Sequence, residues 1–425
     1  MRYNVLDYGI VGDGITNNTK AINNLSEKIS ASGGGTMYFP AGCYVTGTVF
    51  LYSDMCMELD CGATILGSAD HTDFPKITEV EGYTRNGHWG LLASLNATNV
   101  TVKGRGTVDA RGENWWHIVK SDLVRPRTIS FIGCKDVSIE DITIKNSPCW
   151  TVHPMCCENV SVRGIRIYNP YKSPNTDGIN PESCKNVRIS DCHIDVGDDC
   201  VTIKSGTEDD LYQNQHPCEN IIVTNCTMAH GHGGVVIGSE MSGGVKNVTV
   251  SNCVFQNTDR GIRLKTRRLR GGLVQGLTVS NITMENVFAC ITMNEYYVCG
   301  AKKEQWDWLF DVNPQPVTDK TPVITDLQIT GILGKNISGA GIYMYGLPEL
   351  PISNVVISNV NLDVVGSEEG VEVIMAPDRA PGYGEGIVLE NVKNVDMSNV
   401  RITCTKEDLI LKNCTNVQLN GKEIS

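Results

Sequence analysis

The chain has 425 residues, of which 41% are hydrophobic and 20% are charged, so it can bury a large core and lacks the composition of a disordered segment. Its formal net charge of −12 at pH 7 argues against a general attraction to nucleic acid or to an anionic membrane. No apolar run approaches the roughly 18 residues of a membrane span, and the opening MRYNVLDYGIVGDG has no apolar signal segment. We therefore expect a cytoplasmic protein, or a secreted one whose signal peptide has been removed.

The first predicted element is a helix close to the N-terminus. In the segment TNNTKAINNLSEKIS, Thr16 or Asn17 is the candidate N-cap. Apolar residues then follow at helical spacing at Ala21, Ile22, Leu25 and Ile29. Because a repeat fold must cover the open end of its core, we interpret this helix as an end cap. The cap and the first strands are expected within about residues 1–50.

An internal repeat of alternating polar and apolar residues occupies most of the remaining chain. It is visible in CKDVSIEDITIKN, CENVSVRGIRIYN, CKNVRISDCHIDV and VKNVTVSNCVFQN, which show no helical period. The Asn-Val step of the repeat, or its substitute, recurs at intervals of 23, 27, 34, 27 and 29 residues, at Asp136, Asn159, Asn186, Asn220, Asn247 and Gly276. Such a period indicates stacked coils. We expect an all-β fold, a single-stranded right-handed parallel β-helix that forms one domain over residues 1–425.

The 17 cysteines follow this repeat, and their odd number argues against a disulfide framework. Five of them precede the Asn-Val step by two residues: Cys134, Cys157, Cys184, Cys218 and Cys414. Three others occupy a position that holds Ile or Val in other coils: Cys192, Cys226 and Cys253. Since no CxxC pair is present, we interpret them as small buried hydrophobic residues and not as metal ligands.

Four later segments can be aligned by their buried residues alone. They are TDGINPE from Thr176, DDCVTIKS from Asp198, HGGVVIGS from His232 and DRGIRLKT from Asp259. In this alignment one inward position is shared by Ile179, Val201, Val235 and Ile262, and the next by Ile203, Ile237 and Leu264. Because paired strands lie roughly 4.8 Å apart, the polar residues of neighbouring coils should then meet on the outer face.

The alignment places Asp177 beside Asp199, and Asp198 beside His232. Arg263 and Lys265 are i, i+2 neighbours on one strand face, one coil beyond His232. Carboxylates this close cannot all ionise freely, so one of them keeps a proton while the others stay anionic. An acid and a base in one cleft are what glycoside hydrolysis requires. An isolated aspartate in a turn would have only a structural role; the convergence of these side chains is what indicates a site.

The surrounding residues admit more than one interpretation. His230 has the opposite parity to His232 and is expected to be structural. Arg267, Arg268 and Arg270 form either a solvated basic loop at the cleft edge or a further subsite. Asp209 and Asp210, in GTEDDLYQNQHP, are expected in a surface loop.

Four motifs in this order resemble glycoside hydrolase family 28, the polygalacturonases. They are NTDG from Asn175, GDD from Gly197, GHG from Gly231 and RLK from Arg263, where the family commonly has Arg-Ile-Lys. The resemblance runs from DYGIVGDGITNNTKAI through RGIRLKT. It implies hydrolysis of α-1,4-galacturonosidic bonds in pectin with inversion, without cofactor or metal.

The resemblance also implies a role for each site residue. Asp198 would be the general acid, Asp177 and Asp199 would hold and activate water, and His232 would support the acid. Arg263 and Lys265 would bind the galacturonate carboxylate. The substrate-contacting tyrosine of the family corresponds best to Tyr297, with Tyr296 as the alternative.

Several alternatives remain at the level of sequence. The segment HGGVVIGSEMSGG and the long segments 206–218 and 299–321 resemble the exo-acting branch, which favours release of galacturonate from chain ends over endo action. Rhamnogalacturonan or xylogalacturonan could be the substrate instead of polygalacturonan. A pectate lyase would need Ca²⁺ and a strong base, and a non-catalytic glycan-binding β-helix would leave the carboxylates without a function. We expect a pectic oligo- or polysaccharide as the partner, no nucleic acid and no membrane; the sequence does not predict the oligomeric state.

Overall fold

A computed structural model describes residues 1–77, 87–118, 124–210, 216–377 and 379–425. These residues form two compact units, Met1–Asp199 and Cys200–Ser425, each built mainly of short parallel strands. The helices within the described ranges are too short or too polar to cross a lipid bilayer. That the two units make one domain stays a prediction.

The first unit contains strands β1 to β18. Their bounds are β1 Arg2–Asn4, β2 Asp13–Asn17, β3 Gly35–Phe39, β4 Gly42–Thr46, β5 Val49–Phe50, β6 Met55–Leu59, β7 Ala63–Gly67, β8 Leu92–Leu95, β9 Thr98–Gly104, β10 Thr107–Asp109, β11 Ile129–Ile132, β12 Lys135–Glu140, β13 Thr143–Lys145, β14 Val152–Met155, β15 Glu158–Arg163, β16 Arg166–Tyr168, β17 Lys185–Ser190 and β18 His193–Asp195.

Strands of successive coils pair in parallel along three rows in the first unit. One row runs β1-β3-β6-β9-β12-β15-β17, and a second runs β2-β4-β7-β10-β13-β16-β18. The third row, β5-β8-β11-β14, is extended by single bridges from Val152 to Ile179 and from Met155 to Glu182. This stacking is that of a right-handed parallel β-helix, as the repeat predicted.

The predicted N-terminal helix is α1, Thr19–Ala31, which packs on the first strands and buries Ile22, Leu25 and Ile29. Asn18, one residue after the predicted Asn17, holds the N-cap position, but it is the Asn17 side chain that accepts a hydrogen bond from Thr19 N, at 3.0 Å. The Asn18 side chain bonds to Val11, so it ties the chain ahead of the helix instead of capping it.

The second unit contains strands β19 to β34 and a short helix α2, Trp306–Leu309. The strand bounds are β19 Val201–Ile203, β20 Cys218–Thr224, β21 Thr227–His230, β22 Val235–Gly238, β23 Val245–Gln256, β24 Arg260–Lys265, β25 Leu273–Glu285, β26 Ala289–Asn294, β27 Val323–Ile337, β28 Ala340–Tyr345, β29 Ile352–Val364, β30 Glu385–Glu390, β31 Val392–Thr403, β32 Leu409–Lys412, β33 Thr415–Leu419 and β34 Lys422–Glu423.

A seven-stranded sheet in the order β19-β22-β24-β26-β28-β30-β32 forms one face of the second unit. Val201 pairs with Val235 and Val235 with Ile262, while Ile203 pairs with Ile237 and Ile237 with Leu264. The alignment by buried residues is confirmed for these strands. It follows that Arg263 and Lys265 lie on the outer face, because their neighbours Ile262 and Leu264 point into the core.

The Asn-Val step of the repeat is a left-handed turn. The predicted positions have positive φ, for example 58° at Asn159 and 58° at Asn186. Asparagine tolerates this conformation better than other non-glycine residues. Its side chain also stacks between coils: Asn186 Nδ2 donates to Asn159 Oδ1 at 3.1 Å, and Asn159 Nδ2 donates to Asp136 Oδ1 at 2.9 Å.

The predicted cysteine ladder is present in the first unit. Cys134 N donates to Cys157 Sγ at 3.4 Å, and Cys157 N donates to Cys184 Sγ at 3.4 Å. All three side chains are buried. Burial raises the pKa of the Cys157 thiol well above its usual range, so the thiol stays neutral and packs as a small hydrophobic group.

Candidate active site

The first unit brings the three predicted aspartates into one cluster. One carboxylate oxygen from each of Asp177, Asp198 and Asp199 lies within 4.8 Å of the other two. Asp177 and Asp199 are 3% and 1% exposed, whereas Asp198 is half-buried. Asp198 is therefore the member of the cluster that a substrate can reach most directly.

Backbone pairing holds Asp177 and Asp199 on neighbouring coils, as the alignment predicted. Gly178 N donates to the carbonyl oxygen of Asp199 at 3.0 Å, and Thr151 N donates to that of Asp177 at 2.9 Å. The Asp177 carboxylate accepts a hydrogen bond from Asn180 Nδ2 at 2.9 Å. These bonds fix the backbone of both aspartates and the Asp177 carboxylate, so this part of the cluster is preorganised.

Asp198 is oriented by its own chain and by the NTDG segment. Its Oδ1 accepts from Asp199 N at 2.9 Å, and its Oδ2 lies 3.5 Å from Asn175 Nδ2. Asn175 itself has a φ of 55°. Its side-chain oxygen accepts from Arg125 Nη2 at 2.7 Å, and Arg125 Nη1 donates to Pro174 O. Arg125 is thus a supporting residue that the sequence analysis did not identify.

Three carboxylates at this spacing allow two kinds of chemistry. A proton shared among like charges gives an acid and a base in one place. The same oxygens could instead ligate a divalent cation, since hard cations prefer carboxylates. The family relationship and a chelation experiment distinguish these two uses.

The second unit brings Arg263, Lys265 and Tyr297 together. The Arg263 guanidinium carbon lies 5.7 Å and the Lys265 ammonium 5.1 Å from the centre of the Tyr297 ring. Arg263 and Lys265 are 4% and 6% exposed, and Tyr297 is 8% exposed. Two cations of one strand therefore share one aromatic ring in a desolvated place, where a charge interacts strongly with a partner. We refer to these three residues as the basic cluster.

His232 is half-buried, and its carbonyl oxygen lies 3.5 Å from Arg263 Nη1. His232 precedes β22, whose Val236 pairs with Arg263 of β24. That His232 lies beside Asp198 stays a prediction.

The two tyrosines after β26 have different surroundings. Tyr296 is 1% exposed and stacks on Tyr345 with ring centres 4.2 Å apart. Burial raises the pKa of the Tyr296 hydroxyl, which keeps it neutral in a hydrophobic cluster with Leu347 and Val373. Tyr297 instead contacts Arg263 and Lys265 within the basic cluster, so the structure gives Tyr296 a packing role.

The interpretation of the later arginines as a solvated basic loop is wrong. Arg267, Arg268 and Arg270 are 1%, 1% and 5% exposed. Arg267 and Arg270 both pair with Glu208, the former at 3.0 Å, and Arg268 pairs with Glu349 at 2.7 Å. These glutamates are far away in sequence, which is why the local pattern of charges misled the prediction.

Glu295 is a buried acid that the sequence analysis did not single out. Its Oε2 accepts from Leu347 N at 2.9 Å, whereas its Oε1 has no hydrogen-bond partner among the described residues. Burial, assisted by the charge of Glu349 and opposed by that of Arg268, raises the pKa of Glu295 from 4.5 to about 8.

This shift predicts a pH-dependent stability. A raised pKa in the folded state means that the native protein holds a proton which the unfolded chain releases, so stability is lost as the pH rises from 4.5 towards about 8. The loss is at most about 1.4 kcal/mol per pH unit. The melting temperature of Glu295→Gln should therefore rise relative to wild type between these limits. Glu304→Gln, at an exposed position, should show no such trend. If the melting temperature of Glu295→Gln differs from that of wild type by the same amount at every pH, the raised pKa of Glu295 is contradicted.

A β-helix that carries a preorganised carboxylate cluster and a buried Arg–Lys–Tyr cluster has the features of a polysaccharide hydrolase. The family model for glycosyl hydrolases family 28 matches residues 64–378. The chain therefore belongs to glycosyl hydrolases family 28.

Individual relatives agree with this assignment. A probable polygalacturonase of Vitis vinifera is 34% identical over 381 residues, covering 86% of this chain and 75% of that protein. An exo-poly-alpha-D-galacturonosidase of Dickeya chrysanthemi is 27% identical and covers 67% of this chain and 55% of its own length. The crystal structure of a hyperthermoactive exopolygalacturonase from Thermotoga maritima has a TM-score of 0.79 at 27% identity, covering 95% of this chain and 93% of that one.

Proposed function

We propose that the protein hydrolyses α-1,4-galacturonosidic bonds of pectin and releases galacturonate from chain ends. The observation that carries the proposal is the cluster of Asp177, Asp198 and Asp199 within the part of the chain that matches family 28. The polygalacturonase names of the relatives support pectin as the substrate class.

In this proposal the three aspartates divide acid and base work. Asp198, the most accessible member, donates a proton to the glycosidic oxygen of the leaving sugar. Asp177 and Asp199 hold a water molecule and accept its proton as it attacks the anomeric carbon. His232 supports the acid. No step requires a metal ion.

The basic cluster binds a substrate carboxylate in the same proposal. Arg263 and Lys265 offer charged donors to a uronate, and Tyr297 offers a ring on which a sugar can pack. A protein with a net charge of −12 needs such a local basic site to hold an acidic polymer.

Inversion of the anomeric centre is inferred from the family resemblance and not from the carboxylate spacing. Inverting enzymes with two carboxylates usually separate them by about 6.5–9.5 Å, a wider gap than the 4.8 Å within which these oxygens lie. Two clustered carboxylates that jointly hold a water molecule can still activate it, so the product anomer must be measured.

Proton NMR of a tetragalacturonate digest tests the proposal in one experiment. We expect saturated galacturonate as the first product, formed as the inverted β-anomer and at an unchanged rate in EDTA. A series of shorter oligomers in place of the monomer would indicate endo action. Unsaturated products and a Ca²⁺ requirement would indicate a lyase.

Substrate choice and compartment are tested separately. Activity confined to rhamnogalacturonan or xylogalacturonan would replace polygalacturonan as the substrate while retaining the acids. Binding without turnover on all three would favour a glycan-binding β-helix. We also infer a cytoplasmic enzyme acting on imported fragments, which fractionation of cells producing the protein would test.

A further inference from the structure

A cavity of about 400 Å³ lies in the second unit among β28, β30, β32 and the connection that precedes β30. Its lining includes the Tyr343 side chain, apolar Pro381, Val388 and Ile410, and the charged Arg379 and Lys412. Its volume is within the range of about 300–1,000 Å³ that is usual for small-ligand sites. An aromatic ring with apolar neighbours and a few charged groups is a surface suited to a sugar ring.

The charges of this cavity are arranged around Glu390. Arg379 Nη2 lies 2.8 Å from Glu390 Oε2, and Lys412 Nζ lies 2.7 Å from Glu390 Oε1. The second acid, Glu385, accepts hydrogen bonds from the backbone N–H groups of Tyr383 and Gly384 at 2.9 and 3.2 Å. The lining therefore holds two cations and two carboxylates, and because both cations pair with Glu390, an incoming uronate must compete with Glu390 for one of them.

The two cations differ in how firmly they are held. The Arg379 side chain is 22% exposed and its guanidinium lies 3.8 Å from the centre of the Tyr345 ring. The Lys412 side chain is 58% exposed. Burial also raises the pKa of the Tyr343 hydroxyl, so it stays protonated and can donate to a ligand oxygen. Arg379 thus fixes one side of the cavity, while Lys412 can turn towards an incoming carboxylate.

Strand register relates the cavity to the basic cluster. Arg263 pairs with Thr292, Thr292 with Tyr343, and Tyr343 with Val388. Two residues further along the same strands, Lys265 pairs with Asn294, Asn294 with Tyr345, Tyr345 with Glu390, and Glu390 with Lys412. The cavity therefore opens on the same face of the same sheet, about three strand spacings or roughly 14 Å from β24.

The connection before β30 separates the two places. Val373 O accepts from Arg260 Nε at 2.9 Å, and Met375 O accepts from Asn294 Nδ2 at 3.3 Å. This part of the connection packs beside the basic cluster, and Arg379 belongs to the cavity beyond it. The cavity is thus a second place on the face and not an extension of the basic cluster itself.

We propose that this cavity is a second substrate-binding site, in which Arg379, Lys412 and Tyr343 hold a uronate sugar of a pectic chain that also contacts the basic cluster. The identity of the sugar rests on the proposed function; the site itself rests on the cavity and its charges. Binding at two points makes the second contact intramolecular and so raises the apparent affinity for long chains. Chains too short to reach both places gain nothing.

Chain-length dependence provides the test. In Lys412→Gln, the KM for polygalacturonate divided by the KM for digalacturonate should rise about 5-fold, as the loss of one useful contact implies. Because Arg379 still pairs with Glu390, the melting temperature should not change. Lys393→Gln removes the same charge from an exposed position on β31 and should leave the ratio as in wild type.

A binding measurement separates this proposal from the proposed function. Calorimetry with a long oligogalacturonate on Asp198→Asn should give about 5-fold weaker binding when Lys412→Gln is added. Equal affinity, with an unchanged KM ratio, would overturn the second site even if the enzyme hydrolyses pectin. Weaker binding without any turnover by wild type would support the site while removing the proposed function. If Lys412→Gln lowers the melting temperature, Lys412→Arg serves as the second variant. It should restore the wild-type ratio of the two KM values, and failure to do so would show that the effect is structural and overturn the site.

Discussion

Asp198→Asn is expected to lower kcat on polygalacturonate by about 10²- to 10⁴-fold, because an amide cannot donate the acid proton. The substitution is nearly isosteric, and the amide oxygen can still accept the hydrogen bond from Asp199 N. The melting temperature should therefore stay close to that of wild type. Retention of more than about a tenth of the wild-type kcat would remove Asp198 from the acid role, since it lies far above the range for acid–base steps.

An activated substrate distinguishes the acid from the base. An aryl galacturonide has a leaving group that departs without protonation, so Asp198→Asn should lose much less activity on it than on polygalacturonate. Asp177→Asn should lose activity on both substrates, because the attacking water still needs a base. If both variants behave alike on the aryl substrate, the division of roles within the cluster is wrong.

A matched control is available in the repeat itself. Asp136 is exposed at the left-handed turn that asparagine occupies in the next coil, at Asn159. Asp136→Asn makes the same chemical change in the first unit and should affect neither kcat nor stability. Loss of activity in this control would show that the assay responds to general effects of the substitution.

The repeat made most of the fold predictable. Buried residues with a period of 2 set the register of Val201, Val235 and Ile262, and once the register is known it determines which polar residues face outward. The closeness of Asp177 and Asp199 follows from the same reasoning. A one-residue error would have turned every one of these side chains to the other face.

The sequence was less informative wherever the partner of a residue lies outside the repeat. Arg125 reaches Asn175 across 50 residues, and Arg268 reaches Glu349 across 81. Such contacts depend on loops with no period, so a run of charges looks solvent-exposed although it is buried. Glu295 was missed for the same reason, because its burial comes from packing and not from a local pattern.

The second large effect is expected for Lys265→Met, which removes a cation and keeps most of the side-chain volume. Lys265 is 6% exposed beside Tyr297, so its charge acts where water screens it little. Truncating one member of a desolvated charge pair typically costs about 2–5 kcal/mol. We expect kcat/KM on polygalacturonate to fall by roughly 30-fold or more, as the lower part of that range implies.

The charge of the substrate decides whether Lys265 recognises a carboxylate. Methyl-esterified polygalacturonate carries no charge on its sugars, so it should be a poor substrate for wild type and should change little in Lys265→Met. Lys393→Met, at an exposed position of the same unit, controls for the loss of one positive charge from the protein. An equal loss on charged and esterified chains would show that Lys265 supports the fold or the catalytic acids. If Lys265 binds a uronate, Lys265→Met should lose activity on the charged chain only, and Lys393→Met should lose none. The reason is that only the charged chain has a carboxylate that loses its partner when Lys265 is replaced.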